Sequence, residues 1–226
     1  MARGGMAKLF SPILPGADLR ERTIRCVGAA LGIALTMIAS AWFPSGIADL
    51  PLIVAPIGAS AVLVFAVPAS PLAQPWPVIG GNVISTLVGV AVFRAIPNAP
   101  IAAGLAVGVA ILVMSLLRCL HPPGGAAALT AVIGSESIHS AGYGFALAPV
   151  AVNSVVLVAL AMLFHRATRH SYPHRAVAMP PAAAGLHIAD IDAAVADMHE
   201  DFDISREDLD ALLTRADIYA RRRVGR

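Results

Sequence analysis

His121-Pro122-Pro123-Gly124-Gly125-Ala126-Ala127-Ala128-Leu129 and Ala55-Pro56-Ile57-Gly58-Ala59-Ser60-Ala61-Val62-Leu63 decide the fold. In each, a proline is followed two residues later by a glycine inside an apolar run. Proline suits the first turn of a helix, where its missing N–H is not needed, and breaks a helix elsewhere. Both stretches therefore read as starts of short helices. At membrane depth the backbone groups freed by such a break persist only where protein or a water-filled cavity satisfies them.

The surrounding sequence supplies the membrane. The chain has 226 residues, 58% hydrophobic and 13% charged, against about 25% charged in ordinary soluble domains. Of the Asp, Glu, Lys and Arg residues, seven lie in 1–25, four in 26–165 and nineteen in 166–226. The four are Asp49, Arg94, Arg118 and Glu136, which leave charge-free runs of 23, 44, 23, 17 and 29 residues. A spanning helix takes about 20. The proline-rich stretch 68–77 cuts the longest run, so the spacing predicts helices near 24–43, 50–67, 78–95, 101–120 and 145–165. Residues 125–134 would cover about half of a ~30 Å hydrocarbon core, as a half-helix or a broken crossing. Whether this segment is re-entrant or spanning stays open, giving five to six membrane segments. Ala39-Ser40-Ala41 resembles a leader cleavage site, but the apolar run before it exceeds the usual ~7–15 residues, which favours an uncleaved anchor.

The two halves align in pieces and in the same order. Gly28-x-x-x-Gly32 matches Gly104-x-x-x-Gly108, the two Pro-Gly stretches match each other, and 82–93 matches 153–164. The expected architecture is an all-α polytopic helix bundle of two inverted three-segment repeats, 24–95 and 100–166, within a transmembrane domain 24–166. A basic segment, 1–23, precedes it; a linker, 167–187, and an acidic helical hairpin tail, 188–226, follow. Arg20, Arg22 and Arg25 flank the first helix and Arg166, Arg169 and Arg175 the last, which places both termini in the cytoplasm. In the tail, Ser205 and Asp208 read as a capping box opening a second helix.

Helix N-termini attract anions. If Pro56 and Pro122 open half-helices, the N–H groups of Gly58, Ala59 and Ser60, and of Gly124, Gly125 and Ala126, point unpaired toward the midplane. The bland alternative is that Pro56, Pro122 and Pro123 kink buried helices. His121 and Arg118 are ionisable groups at the mouth of the second half-helix, functional candidates by their cost there, or interfacial with Arg118 snorkelling. Asn82 and Asn153 are matched amides that serve either as helix glue or as cavity lining. The paired Gly-x-x-x-Gly faces read as close helix packing and point to a homo-oligomer.

Other function classes find little support. There is no basic stripe with interleaved aromatics for nucleic acid, and no nucleophile elbow, zinc-protease motif or phosphate loop. His121, His139, His165 and Cys119 lack the spacing of a metal site, and neither a cofactor nor a catalytic residue is expected. Cys26 and Cys119 read as small hydrophobes.

The stretch 121–126, with 55–62, Ser70-Pro71-Leu72-Ala73-Gln74-Pro75 and the final helix, resembles the HPP family of integral membrane proteins. The resemblance runs from about residue 24 to 166. It implies a bacterial inner-membrane protein, usually described with four transmembrane helices, whose plant relatives are chloroplast nitrite transporters. The expected function is a small-anion transporter or channel, with nitrite as the anion and the bilayer as its setting. The alternative is a non-transporting membrane scaffold or sensor whose tail recruits a protein partner.

Overall fold

The computed structural model describes residues 19–43, 50–175, 189, 191–193 and 204–224. The described chain forms α1 (Leu19–Ser40), α2 (Pro56–Ala66), α3 (Pro75–Ala95), α4 (Ala99–Leu116), α5 (Pro122–Ile133), α6 (Glu136–Ala141), α7 (Ala146–Ala167) and α8 (Arg206–Val224). Helices α1, α3, α4 and α7 are long and apolar enough to cross a membrane, whereas α2 and α5 are apolar but shorter. The expected long span at 50–67 is corrected: Pro56 fixes the start of α2, and Val67, which leaves the helical region at φ −132° and ψ 57° ahead of Pro68, ends it. Helix α3 begins at Pro75 rather than 78, because prolines are tolerated in a first turn whose N–H groups have no helical partner. Helix α1 begins at Leu19 and so takes in Arg20, Arg22 and Arg25. Asn98 caps α4, its side chain accepting from the Ile101 N–H at 3.1 Å. The short helix α6 was not expected.

Six apolar segments form two groups of three. Helix α1 packs with α2 and α7, and α4 packs with α5 and α3. Each group thus takes its third helix from the other half of the chain. Contacts along the helices give their directions. The start of α1 lies by the end of α7, where Gly28 faces the Phe164 ring. The end of α1 meets the beginning of α7, where Asn153 Nδ2 donates to Ser40 Oγ at 2.7 Å. His165 Nε2 donates to the Val64 carbonyl at 2.9 Å, so α2 and α7 run parallel. Helices α3 and α5 also run parallel, with Gly81 against His121 and Gly89 against Ala128. Trp76 at the start of α3 donates to the carbonyl of Leu117 after α4, so these two are antiparallel. Arg94 at the end of α3 lies 5.0 Å over the ring of Tyr143, just before α7. The two groups are therefore inverted relative to each other, and the start of α1 and the end of α7 share one face with the 67–74 loop, where Arg25 donates to the Ala66 carbonyl.

The outer surface is apolar. Val27, Leu31 and Leu35 on α1 and Ile101, Leu105 and Leu112 on α4 are exposed, as lipid-facing residues should be, and exposed Trp42 and Trp76 mark opposite ends of the bundle. Helix α4 packs through Ala102, Ala106 and Ala110, and its Gly104 and Gly108 face open space. Within the chain, then, only the α1 member of the matched pair packs against neighbouring helices. On α1, Gly28 and Gly32 admit the rings of Phe164 and Phe65, and the closest backbone approach is between α3 and α5, at Gly81, Gly89 and Gly124.

Outside the bundle, the Ser205 hydroxyl accepts from the Asp208 N–H at 3.0 Å and donates to its carboxylate, capping α8. His174 Nε2 lies 2.9 Å from Asp208 Oδ1 and fastens α8 beside the 67–74 loop. Arg206 pairs with Asp192 at 2.8 Å. Most of the first helix expected in the tail, and most of the basic N-terminal segment, lie outside the described residues.

Candidate functional site

His121 precedes Pro122 and, as steric clash with the proline ring requires, is extended, at φ −143° and ψ 109°. This aims the imidazole across the seam between the two helix groups. Its Nδ1 lies 2.8 Å from the Leu72 carbonyl and its Nε2 lies 2.8 Å from Ser60 Oγ. A carbonyl only accepts, so Nδ1 carries a proton, and in the neutral ring Nε2 accepts from the Ser60 hydroxyl. Asn82 Nδ2 donates to Ser60 Oγ at 3.1 Å and to Ser154 Oγ at 3.3 Å, and Ser154 donates to the Val150 carbonyl at 2.9 Å. His121, Ser60, Asn82, Ser85 and Ser154 are all fully buried. They come from α2 and α7 of one group and from α3 and the start of α5 of the other. Asn82 Oδ1 and Ser85 Oγ have no hydrogen-bond partner. Buried polar atoms without partners are rare and mark strain, function or a bound species.

Several expected site residues stand elsewhere. The Gly58 N–H donates to the Ala55 carbonyl at 3.0 Å and the Gly124 N–H to the His121 carbonyl at 2.8 Å. The expectation of unpaired N–H groups at these two glycines is therefore corrected: each helix opens with a tight turn that consumes them. Gly58, Ala59, Pro122 and Ala126 are exposed, Gly125 is half-buried, and Pro56, Pro123 and Gly124 are buried. Gly124 is a packing residue, since a Cβ there would lie 2.7 Å from Ser85 Oγ and 2.9 Å from the Gly81 carbonyl. Ser60 enters the cluster through its hydroxyl.

Both matched amides tie helices together, in different networks. Asn82 lines the His121 cluster. Asn153 is glue: its Oδ1 accepts from the Val54 N–H at 3.1 Å and its Nδ2 also donates to the Leu52 carbonyl at 2.9 Å, tying the approach to α2 onto α7. Arg118 is exposed and left-handed at φ 53°, in the turn closing α4, where the Cys119 N–H reaches the Met114 carbonyl at 2.9 Å. The three histidines weighed for a metal stand apart, each against a different carbonyl, of Leu72, Val132 and Val64.

Sequence reasoning missed Leu72, Ser85 and Ser154. Ser85 was findable, because it follows Asn82 by three residues and shares its helix face. Ser154 aligns with Val83 in the repeat, so the duplication gave no signal for it, and the Leu72 carbonyl carries no residue-type signal at all.

The family model described as HPP, transmembrane region, matches residues 14–173. A transmembrane protein of Dictyostelium discoideum is 37% identical over 131 residues, which cover 56% of this chain and 46% of the relative. A second transmembrane protein of that organism is 38% identical over 120 residues, covering 51% of this chain and 38% of the relative. The chain thus matches less than half the length of these curated relatives. No solved structure matches it.

Proposed function

The chain belongs to the HPP transmembrane family, and from that premise we propose that it carries a small monovalent anion, nitrite, across a membrane. The observation that supports this reading is the uncharged polar cluster of His121, Ser60, Asn82, Ser85 and Ser154, closed from solvent at the seam of two inverted helix groups. Polar side chains in the interior of a membrane bundle are costly and mark substrate paths. Inverted repeats that rock about a fixed site are a recurrent means of alternating access. The Ser85 hydroxyl, buried beside Gly124, is an unpartnered donor that an anion would meet once the groups separate at the α2–α5 and α3–α7 contacts. The gathering of Arg20, Arg22, Arg25, Arg166, Arg169 and Arg175 on one side supports an orientation with both ends in the cytoplasm; a bacterial inner membrane as the setting rests on the family resemblance alone.

Uptake into proteoliposomes, comparing nitrite, nitrate, formate and chloride, tests the reading. Saturable nitrite uptake, absent from empty vesicles and lost in Asn82→Ala and Ser85→Ala proteins that stay folded, is expected. Absence of flux for every anion from folded protein would overturn it in favour of a scaffold acting through α8.

A further inference from the structure

We propose that the anion crosses together with a proton carried on His121 Nε2, as electroneutral anion–proton cotransport. The inference rests on the anion reading above and deepens it. Its first support is charge. Among the described residues no Asp, Glu, Lys or Arg side chain is buried. A bare anion in the interior of the bundle would therefore lack a countercharge, and such a charge is strongly disfavoured unless paired. The imidazole is the one side chain in this cluster that can take up a proton to become a cation.

The hydrogen-bond pattern around His121 is compatible with both protonation states. In the neutral ring, the Ser60 hydroxyl donates to Nε2 and accepts from Asn82 Nδ2. When Nε2 gains a proton it becomes a donor to Ser60 Oγ, and the Ser60 hydroxyl turns to the Pro56 carbonyl, 3.2 Å away. Asn82 continues to donate to the same oxygen, whose two lone pairs then serve two donors. Nδ1–H stays on Leu72 throughout. The Ser60–His121 and Asn82–Ser60 bonds hold in both states, and the Ser60–Pro56 bond forms only in the protonated one.

The other buried histidine of the bundle lacks this provision. His165 Nε2 donates to Val64, and its buried Nδ1 has no partner, so a proton added there would have no acceptor. The groups around His121 leave the role to it. Helix α2 offers Ser60, α3 offers Gly81 and Asn82, and the 67–74 loop offers the Leu72 carbonyl, beside the Ala73 carbonyl that binds the Tyr172 phenol. The connection from α4 holds exposed Arg118 and buried Cys119. Phenols and thiols ordinarily hold their protons at neutral pH.

The cycle balances. A neutral imidazole takes one proton and one anion from one side and releases both on the other, moving no net charge. Two measurements test it. In the first, sodium nitrite is added to the purified full chain in weakly buffered detergent with a pH-indicator dye. One proton taken up per nitrite bound is expected, retained in His165→Gln and lost in His121→Gln; binding without proton uptake by the unsubstituted protein overturns the proposal. In the second, nitrite uptake into proteoliposomes, corrected for empty vesicles because nitrous acid leaks through lipid, is driven by a pH gradient or by a potassium-diffusion potential. Drive by an inward proton gradient with indifference to potential is expected. Uptake that follows an inside-positive potential and ignores the pH gradient overturns the coupling and leaves the anion reading standing. Neither binding nor uptake of any anion by folded protein overturns both.

Discussion

His121 Nε2 and Ser60 Oγ, 61 positions apart in the chain, meet at 2.8 Å and join the opening of α5 to α2 across the seam of two inverted helix groups. Truncating either member strands the other in the interior. His121→Ala also frees the Leu72 carbonyl and leaves a hole, so a loss of about 2–4 kcal/mol is expected. Ser60→Ala should cost about 1 kcal/mol. The double variant should fall short of the sum by about 1 kcal/mol. Thermal unfolding of the four proteins in one detergent checks this, and strict additivity would deny the bond its energetic role.

Glycines on the two faces of the bundle should answer oppositely to alanine. A Cβ at Gly89 collides with the Ala128 backbone, whose carbonyl cannot give way without moving α5. Gly89→Ala should therefore destabilise by ~2 kcal/mol or more. Gly104 faces open space within α4, where alanine relieves the helix of its most flexible residue, so Gly104→Ala should gain about 0.5–1 kcal/mol. The same unfolding assay separates the two.

Arg118 occupies a left-handed position that glycine favours, in the turn that closes α4. Arg118→Gly should raise stability by about 1 kcal/mol, the cost of that conformation for a residue with a Cβ. If nitrite uptake also survives the change, Arg118 is a turn residue and does not tune charge at the site; a collapse of uptake in the more stable protein would restore that role.

The attachment of α8 should depend on pH. Burial alone would raise the Asp208 carboxyl, but hydrogen bonds from Ser205 and His174, and the charge of His174, outweigh it and hold the group below its ordinary value. A carboxyl lowered in the folded state adds stability above its unfolded value and loses it as pH falls through the folded one. Distances between spin labels on α8 and on the 67–74 loop should stay short at neutral pH and lengthen on acidification below the carboxylate range. In Asp208→Asn the distance should no longer respond to that acidification.

What the sequence revealed and what it hid follow one physical division. Local constraints were legible: Pro56 and Pro122 do open short helices, Ser205 does cap α8, and the charge-free runs do hold the apolar helices. The repeat predicted inversion, and the helix directions agree. Pairings across space were hidden. Nothing in the spacing shows that Ser60 offers a hydroxyl to His121, or that Asn82 and Asn153, alike in sequence, are given to different networks. The free-amide reading failed at Gly58 and Gly124 because a helix that opens with proline can tighten its first turn and satisfy those N–H groups locally.

The exchange of third helices constrains how the protein is made. Helices α1 and α2 are synthesised first, yet their partner α7 emerges only after α3, α4 and α5 have been inserted. The early pair must wait in the bilayer with its packing face unfilled: Gly32 can seat Phe65 of α2 at once, but Gly28 stays empty of its ring until Phe164 arrives with α7. A chain severed in the 96–98 connection would yield two halves, each holding the missing piece of the other, so neither should assemble when expressed alone and both should recover when produced together in the same cell.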